Sequence, residues 1–142
     1  MIGTERGVAM DNRGRTKSWL PTILVVEDNE DNREMVVKVL KRNSYQVVEA
    51  VDGEEAIEKA KIEKPDLILL DIYLPKIDGY EAARRLKSDR NLRNIPVIAL
   101  TAHAMKGNME EALAAGCNGF ISKPINVREL PQQIERFLKP NP

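Results

Sequence analysis

The chain has 142 residues, 22 Lys plus Arg against 22 Asp plus Glu, and a single cysteine, Cys117. That length suits one domain with its own core. Balanced charge gives no general affinity for nucleic acid or an anionic membrane, one cysteine excludes an internal disulfide, and no run approaches the ~20 apolar residues of a membrane span. Cys117 has no Cys or His partner at ligand spacing, so it reads as a small packing residue and not a zinc ligand.

Met1–Ser18 is polar, carries three glycines and shows no periodicity. It reads as a disordered tail, mildly basic through Arg6, Arg13, Arg15 and Lys17, and lacks the apolar stretch of a signal peptide. A cytoplasmic protein is the default expectation. The expected organisation is a tail over residues 1–20, one domain over residues 21–140, and no further domain.

From Thr22 onward, strand and helix patterns alternate. The first strand is expected at Thr22–Glu27, followed by a helical stripe of Met35, Val36, Val39 and Leu40. Gln46–Ala50 is the second strand. Asp52 stands three residues before Glu55, a capping-box pattern that opens a helix carrying Ala56, Ile57 and Ala60. Asp66–Asp71 is the third strand. Asp78 and Glu81 repeat the capping pattern before Ala82, Ala83 and Leu86. Pro96–Leu100 is the fourth strand, and Met105, Met109, Ala112 and Leu113 form a fourth helical stripe that Gly116 stops. Gly119–Ser122 is the fifth strand. Asn126 and Glu129 again suggest a helix start, but Pro131 is awkward inside that helix and moves the expected start toward Leu130, with Leu130, Ile134, Phe137 and Leu138 as its apolar face. Five such units in series predict an α/β fold with a doubly wound, five-stranded parallel sheet.

Polar residues close four of the apolar runs: Glu27 and Asp28, then Asp71, Thr101 and Lys123. In a parallel sheet these ends share the carboxyl edge, where open α/β sheets bind ligands. Taken singly, a strand-end Asp is most often a cap or turn residue, a Lys is solvated, and a Thr is a good strand former. Together they describe one chemistry. Asp28 and Asp71 at neighbouring strand ends would repel each other unless a cation joined them, and oxygen-only ligands suit Mg²⁺. Glu27 could act through a water, and the backbone carbonyl of Tyr73 is a further candidate ligand. Asp71 ends the central run and is the best-aimed nucleophile for an acyl phosphate. Lys123 and Thr101 are the natural phosphoryl contacts.

Four segments carrying these residues, Ile23–Asn29, Pro65–Gly79, Ile95–His103 and Gly119–Pro124, strongly resemble the receiver domains of two-component response regulators. The resemblance runs from about Pro21 to Lys139. Ala104–Gly107 and Ile121–Ile125 look most like stand-alone receivers and the receivers of hybrid kinases. The resemblance implies a flavodoxin-like (βα)5 fold and a phosphoacceptor at Asp71. It also implies Mg²⁺ as cofactor, held by Glu27, Asp28, Asp71 and the Tyr73 carbonyl, with Thr101 and Lys123 contacting the phosphoryl group. Thr101 and Phe120 are then the switch residues, and the Lys123–Pro124 bond is expected to be cis.

By the same resemblance the phosphoryl group comes from a phosphohistidine on a histidine kinase or a histidine phosphotransfer protein. Its arrival alters the surface made by the fourth helix, fifth strand and fifth helix, which meets a downstream protein. No direct nucleic-acid or membrane partner is implied, and the state is monomer or weak dimer. Tyr73 and His103 hold positions that tune phosphoryl access and lifetime. His103 as a phosphate carrier itself is the weaker idea, since no base partner is evident. Phe120 stands where many relatives have Tyr and lacks that hydroxyl.

Two other classes fit these residues less well. A Mg²⁺-dependent phosphohydrolase usually has a second Asp two residues after the nucleophile, where this chain has Tyr73. A flavin domain needs a Ser-, Thr- and Gly-rich loop after the first strand, where Glu27–Asp31 would repel a flavin phosphate, and no G-x-G-x-x-G or Walker loop is present. The receiver reading, a signalling acceptor and not a turnover enzyme, is the expectation carried forward.

Overall fold

A computed structural model describes residues 9–10, 16–17, 20–102 and 106–138. Ten elements alternate along the main body: β1 (Thr22–Val26), α1 (Glu30–Arg42), β2 (Gln46–Ala50), α2 (Gly53–Glu63), β3 (Leu67–Asp71), α3 (Gly79–Ser88), β4 (Val97–Thr101), α4 (Lys106–Ala114), β5 (Gly119–Ser122) and α5 (Leu130–Leu138). The five strands form one sheet in the order β2-β1-β3-β4-β5, every neighbouring pair parallel. Outside this numbering, Ala9–Met10 pairs antiparallel with Thr16–Lys17. Apart from Leu20, the remainder of the expected tail lies outside the described residues, as do His103, Met105 and Lys139.

Both faces of the sheet are covered, which is why β1, β3 and β4 are buried throughout and read as unbroken apolar runs. Alternate residues serve opposite faces. Leu24, Val26, Ile68, Leu70 and Ala99 pack under α2, α3 and α4 through Ala56, Ala60, Ala82, Ala83, Leu86 and Ala112. Ile23, Val25, Leu67, Leu69, Ile98 and Leu100 face α1 and α5, meeting Val36, Leu40, Leu130 and Ile134. Each such leucine or isoleucine contributes about 1.5–3 kcal/mol by leaving water.

The helix starts follow the capping logic. Asp52 accepts the Glu55 N–H at 2.8 Å and Asp78 accepts that of Glu81 at 2.9 Å. Asn29, which the sequence reading did not single out, caps α1 by accepting the Asn32 N–H at 2.8 Å. Asn126 opens a turn rather than the helix itself, and α5 begins at Leu130, so Pro131 falls where a missing N–H costs little. Gly116 ends α4 with φ +103°.

Four strand limits shift by one residue: β1 stops at Val26 rather than Glu27, and the other three each have a local cause. At the start of β3 the Asp66 carboxylate takes the Thr22 N–H at 2.7 Å, a side-chain bond beside the backbone one from the Asp66 N–H to the Thr22 carbonyl at 2.8 Å. Pro96 has no N–H to offer, although its carbonyl accepts from Ile68. Thr101 is inside β4 because its carbonyl accepts the Lys123 N–H at 2.8 Å. Two expected core residues are on the outside: Met35 and Leu113 are 38% and 52% exposed. In α1 the apolar stripe turns to bury Val37 instead, and in α4 Ala112 is the residue that reaches the sheet.

Candidate functional site

Parallel pairing puts the ends of β1 and β3 side by side, with Val26 opposite Leu70, so Glu27 and Asp71 are the next pair along the sheet. Both are nearly fully buried, at 3% exposure each, while Asp28 is exposed. One carboxylate oxygen from each of Glu27, Asp28 and Asp71 lies within 4.8 Å of the others. On the other side β4 ends in buried Thr101, one residue beyond the Leu100 that pairs with Asp71. From just past β5, the Lys123 ammonium reaches back across the sheet edge to Asp71 Oδ2 at 2.9 Å and Glu27 Oε1 at 3.1 Å. Strand pairing alone therefore assembles residues up to 96 positions apart.

The site is electrostatically crowded. Burial, followed by the neighbouring Asp71, pushes the Glu27 carboxyl above its ordinary value, while the Asn29 N–H and the Lys123 ammonium pull it back. Burial works against the Lys123 charge, but the Asp71 and Glu27 carboxylates outweigh it and raise its pKa. The crowding expected between Asp28 and Asp71 thus registers at Glu27, the buried member of the acidic pair.

The donor set suits a small hard cation. An octahedral shell at about 2.0–2.1 Å places adjacent oxygens about 2.9 Å apart and opposite ones about 4.2 Å apart. Carboxylate oxygens already within 4.8 Å of one another need only small rotations to enter such a shell. Three carboxylates facing one ammonium also leave a negative surplus for a divalent ion to neutralise. Asp28 would be a direct ligand from the exposed rim, with Asp71 and Glu27 behind it.

Asp71 is held from two sides. Its Oδ1 accepts the Tyr73 N–H at 3.0 Å, and its Oδ2 accepts from Lys123. Tyr73 therefore meets the site through its backbone, while the residue as a whole is 58% exposed. The loop after Asp71 is pressed against the start of α3. The Gly79 N–H donates to the Ile72 carbonyl at 2.8 Å, and a Cβ on Gly79 would lie 2.5 Å from Ile72 Cα and 2.6 Å from the Asp71 carbonyl oxygen. Only glycine permits that approach.

Phe120, opposite Ala99 in β5, is half-buried against the α3–α4 side of the core. The Lys123–Pro124 peptide bond is cis. Next to the acidic cluster a cavity of about 440 Å³ is lined by Glu27, Asn32, Met35, Ala102, Lys123 and Ile125, among others. The exposure of Met35 is explained by this position.

Sequence reasoning missed Arg33. Its Nη1 donates to the Glu27 carbonyl at 3.0 Å, and its Nε pairs with Glu49 Oε1 at 3.0 Å. An arginine in the second turn of a helix is indistinguishable in sequence from a solvated one.

The sequence model of the response regulator receiver domain matches residues 23–135. The chain is 42% identical over 117 residues to the polar-differentiation response regulator DivK of Brucella anthropi, covering 82% of this chain and 95% of that protein. Among solved structures, the receiver domain of a Pseudomonas aeruginosa sensor histidine kinase superposes with a TM-score of 0.78 at 38% identity, over 84% of this chain and 98% of that one. A magnesium ion is coordinated in the active-site cleft of that structure. The chemotaxis response regulator CheY4 of Vibrio cholerae superposes with a TM-score of 0.80 at 29% identity, over 84% and 99% of the two chains.

Proposed function

The chain belongs to the response regulator receiver domain family, and on that premise we propose that Asp71 accepts a phosphoryl group from a phosphohistidine, with Mg²⁺ present, and that the modified domain signals through protein contact. The observation that carries this reading is the double grip of Lys123 on Asp71 and Glu27 within a cluster of three carboxylates. One fixed cation aims the acceptor, and the surplus acid charge recruits a second.

In the transfer, an Asp71 carboxylate oxygen forms a bond to phosphorus as the nitrogen–phosphorus bond of the donor breaks. The imidazole leaves with the electron pair and takes a proton from solvent. Bound Mg²⁺, held by Glu27, Asp28, Asp71 and the Tyr73 carbonyl, would neutralise charge on the phosphoryl oxygens. Lys123 exchanges part of its hold on Asp71 for a phosphoryl oxygen. The Thr101 hydroxyl donates to another, and the Tyr73 N–H keeps the remaining carboxylate oxygen in place.

The product carries nearly two negative charges where the free carboxylate carried one, a net gain of about one charge at the sheet edge. Drawing Thr101 toward it would let Phe120 turn inward and change the face formed by α4, β5 and α5. The donor is a histidine kinase or histidine phosphotransfer protein, and the receptor of the signal is a protein docking on that face. The domain is an acceptor with slow self-dephosphorylation, not a turnover enzyme, working as a monomer or weak dimer. No described helix is long and apolar enough to cross a membrane, and we place the protein in the bacterial cytoplasm with its phosphodonor.

The test is transfer from a radiolabelled histidine phosphotransfer protein in Mg²⁺. Label should move to the wild type within seconds to minutes and not to Asp71→Asn. Label that reaches Asp71→Asn equally well, or free phosphate released over many turnovers, would refute the reading.

A further inference from the structure

We infer that Arg33 is a positioning residue for the metal-binding acids. It sets the backbone from which Asp28 projects, so it tunes cation affinity without touching the cation. This inference rests on the metal reading of the site. Among the described residues no hydrogen bond holds the Asp28 carboxylate, which is exposed at the rim. Its place in the cluster is therefore set by the backbone on either side. On the far side Asn29 is fixed as the cap of α1 and by its N–H bond to Glu27 Oε2 at 3.2 Å. On the near side Glu27 has left the β1 strand, and its carbonyl is held by the Arg33 guanidinium at 3.0 Å.

Arg33 can do this because it is itself anchored. Its side chain is 15% exposed, and its Nε is paired at 3.0 Å with Glu49 on β2. The main chain at Glu49 and Ala50 is tied down too. The Glu27 N–H donates to the Ala50 carbonyl at 3.1 Å, and Lys59 Nζ donates to the Glu49 carbonyl at 2.6 Å. The guanidinium fork thus ties α1 to β2 and to the carbonyl just past the end of β1, and closes a loop from residue 27 to residue 33. A lysine carries the same charge but cannot present two N–H groups in fixed directions to the two acceptors.

Charge and geometry predict opposite outcomes, which makes the idea testable. If Arg33 were only a nearby positive charge, its removal would tighten binding of a divalent cation. As a positioning residue, its removal loosens Asp28 and weakens binding. Removing groups that orient metal ligands typically costs 10–100-fold in affinity.

The experiment is calorimetric titration of the full chain with MgCl₂ alone, combined with amide hydrogen exchange of Asp28 and Asn29 in metal-free protein. Arg33→Lys and Arg33→Ala should each weaken Mg²⁺ binding by roughly tenfold and speed exchange at both amides. Ile134→Val, on the buried face of α5 and chosen as a mild destabilisation, should leave Mg²⁺ affinity unchanged. Tighter or unchanged binding in Arg33→Ala, weaker binding without faster exchange, or an equal loss in Ile134→Val would overturn the inference. A wild type that binds no Mg²⁺ would instead remove the metal reading beneath it, whereas wild type and both Arg33 variants binding alike would remove the positioning role alone.

Discussion

Lys123 and its two carboxylates hold a balance that a single substitution should tip. Lys123→Ala would leave Asp71 and Glu27 buried without their cation, and breaking a buried pair in this way costs roughly 3–5 kcal/mol. The Lys123 side chain is partly exposed, at 21%, which puts the expectation toward the low end of that range. Urea unfolding with and without MgCl₂ checks it, since the metal should restore part of the loss. Asp71→Asn should act the other way and make the metal-free protein as stable as wild type or more so, because it relieves acid crowding while Glu27 keeps Lys123.

The raised Glu27 pKa adds a pH signature. Its folded value lies above the ordinary 4.5, so between the two the folded state binds more protons than the unfolded state. Stability from this group is complete below 4.5 and is lost as pH rises through the folded value. In metal-free buffer, wild type should therefore lose stability over that window relative to Glu27→Gln. Parallel curves for the two proteins would contradict it. Burial pushes the Cys117 thiol up to about 11, which places thiolate chemistry out of reach at neutral pH. Folded protein should resist iodoacetamide at pH 8 while urea-unfolded protein reacts rapidly, as intact mass would show.

At the scale of elements, α3 and α4 contrast. The start of α3 is locked onto the loop after Asp71, so Gly79→Ala drives a methyl into backbone. Overpacking of this kind costs about 1–3 kcal/mol, and here the strain falls on the segment that aims Asp71. Melting temperature and phosphoryl uptake should drop together, and retention of both would show that the close approach can relax. Helix α4 is lightly held: Ala112 is buried, Glu110, Glu111, Leu113 and Ala114 are exposed, and the Tyr80 hydroxyl reaches the Asn108 carbonyl only at 3.4 Å. Gly107 has open space around it. Gly107→Ala should therefore stabilise α4 by up to about 1 kcal/mol and slow amide exchange in that helix, with little effect on the central strands. The phosphorylation-dependent movement proposed for this face would draw on that low local stability.

Across the whole molecule, the parallel sheet does most of the functional placement. Glu27, Asp28, Asp71, Thr101 and Lys123 could be read from the sequence because each follows an apolar run whose direction the topology dictates. The same logic made the caps Asp52 and Asp78 legible, since the Asp-to-Glu spacing encodes a local bond. What escaped was whatever depends on contact between elements. Arg33 is an ordinary helix charge until β1 and β2 are seen to flank it. Met35 and Leu113 fit an apolar stripe equally well facing in or out, and the choice falls to packing by Val37 and Ala112. Gly79 matched the receiver pattern, but its role needs the Asp71 and Ile72 backbones in view.

The central claim is that Asp71, gripped by Lys123 and supplied with Mg²⁺, takes up a phosphoryl group. Intact mass spectrometry after exposure to acetyl phosphate tests it most directly. A gain of about 80 Da, the mass of one phosphoryl group, should appear with MgCl₂, vanish with EDTA, vanish in Asp71→Asn, and map to the peptide containing residue 71. A wild-type protein left unmodified in Mg²⁺ by a donor that phosphorylates another receiver in the same tube, or a gain that survives in Asp71→Asn at the wild-type level, would contradict it.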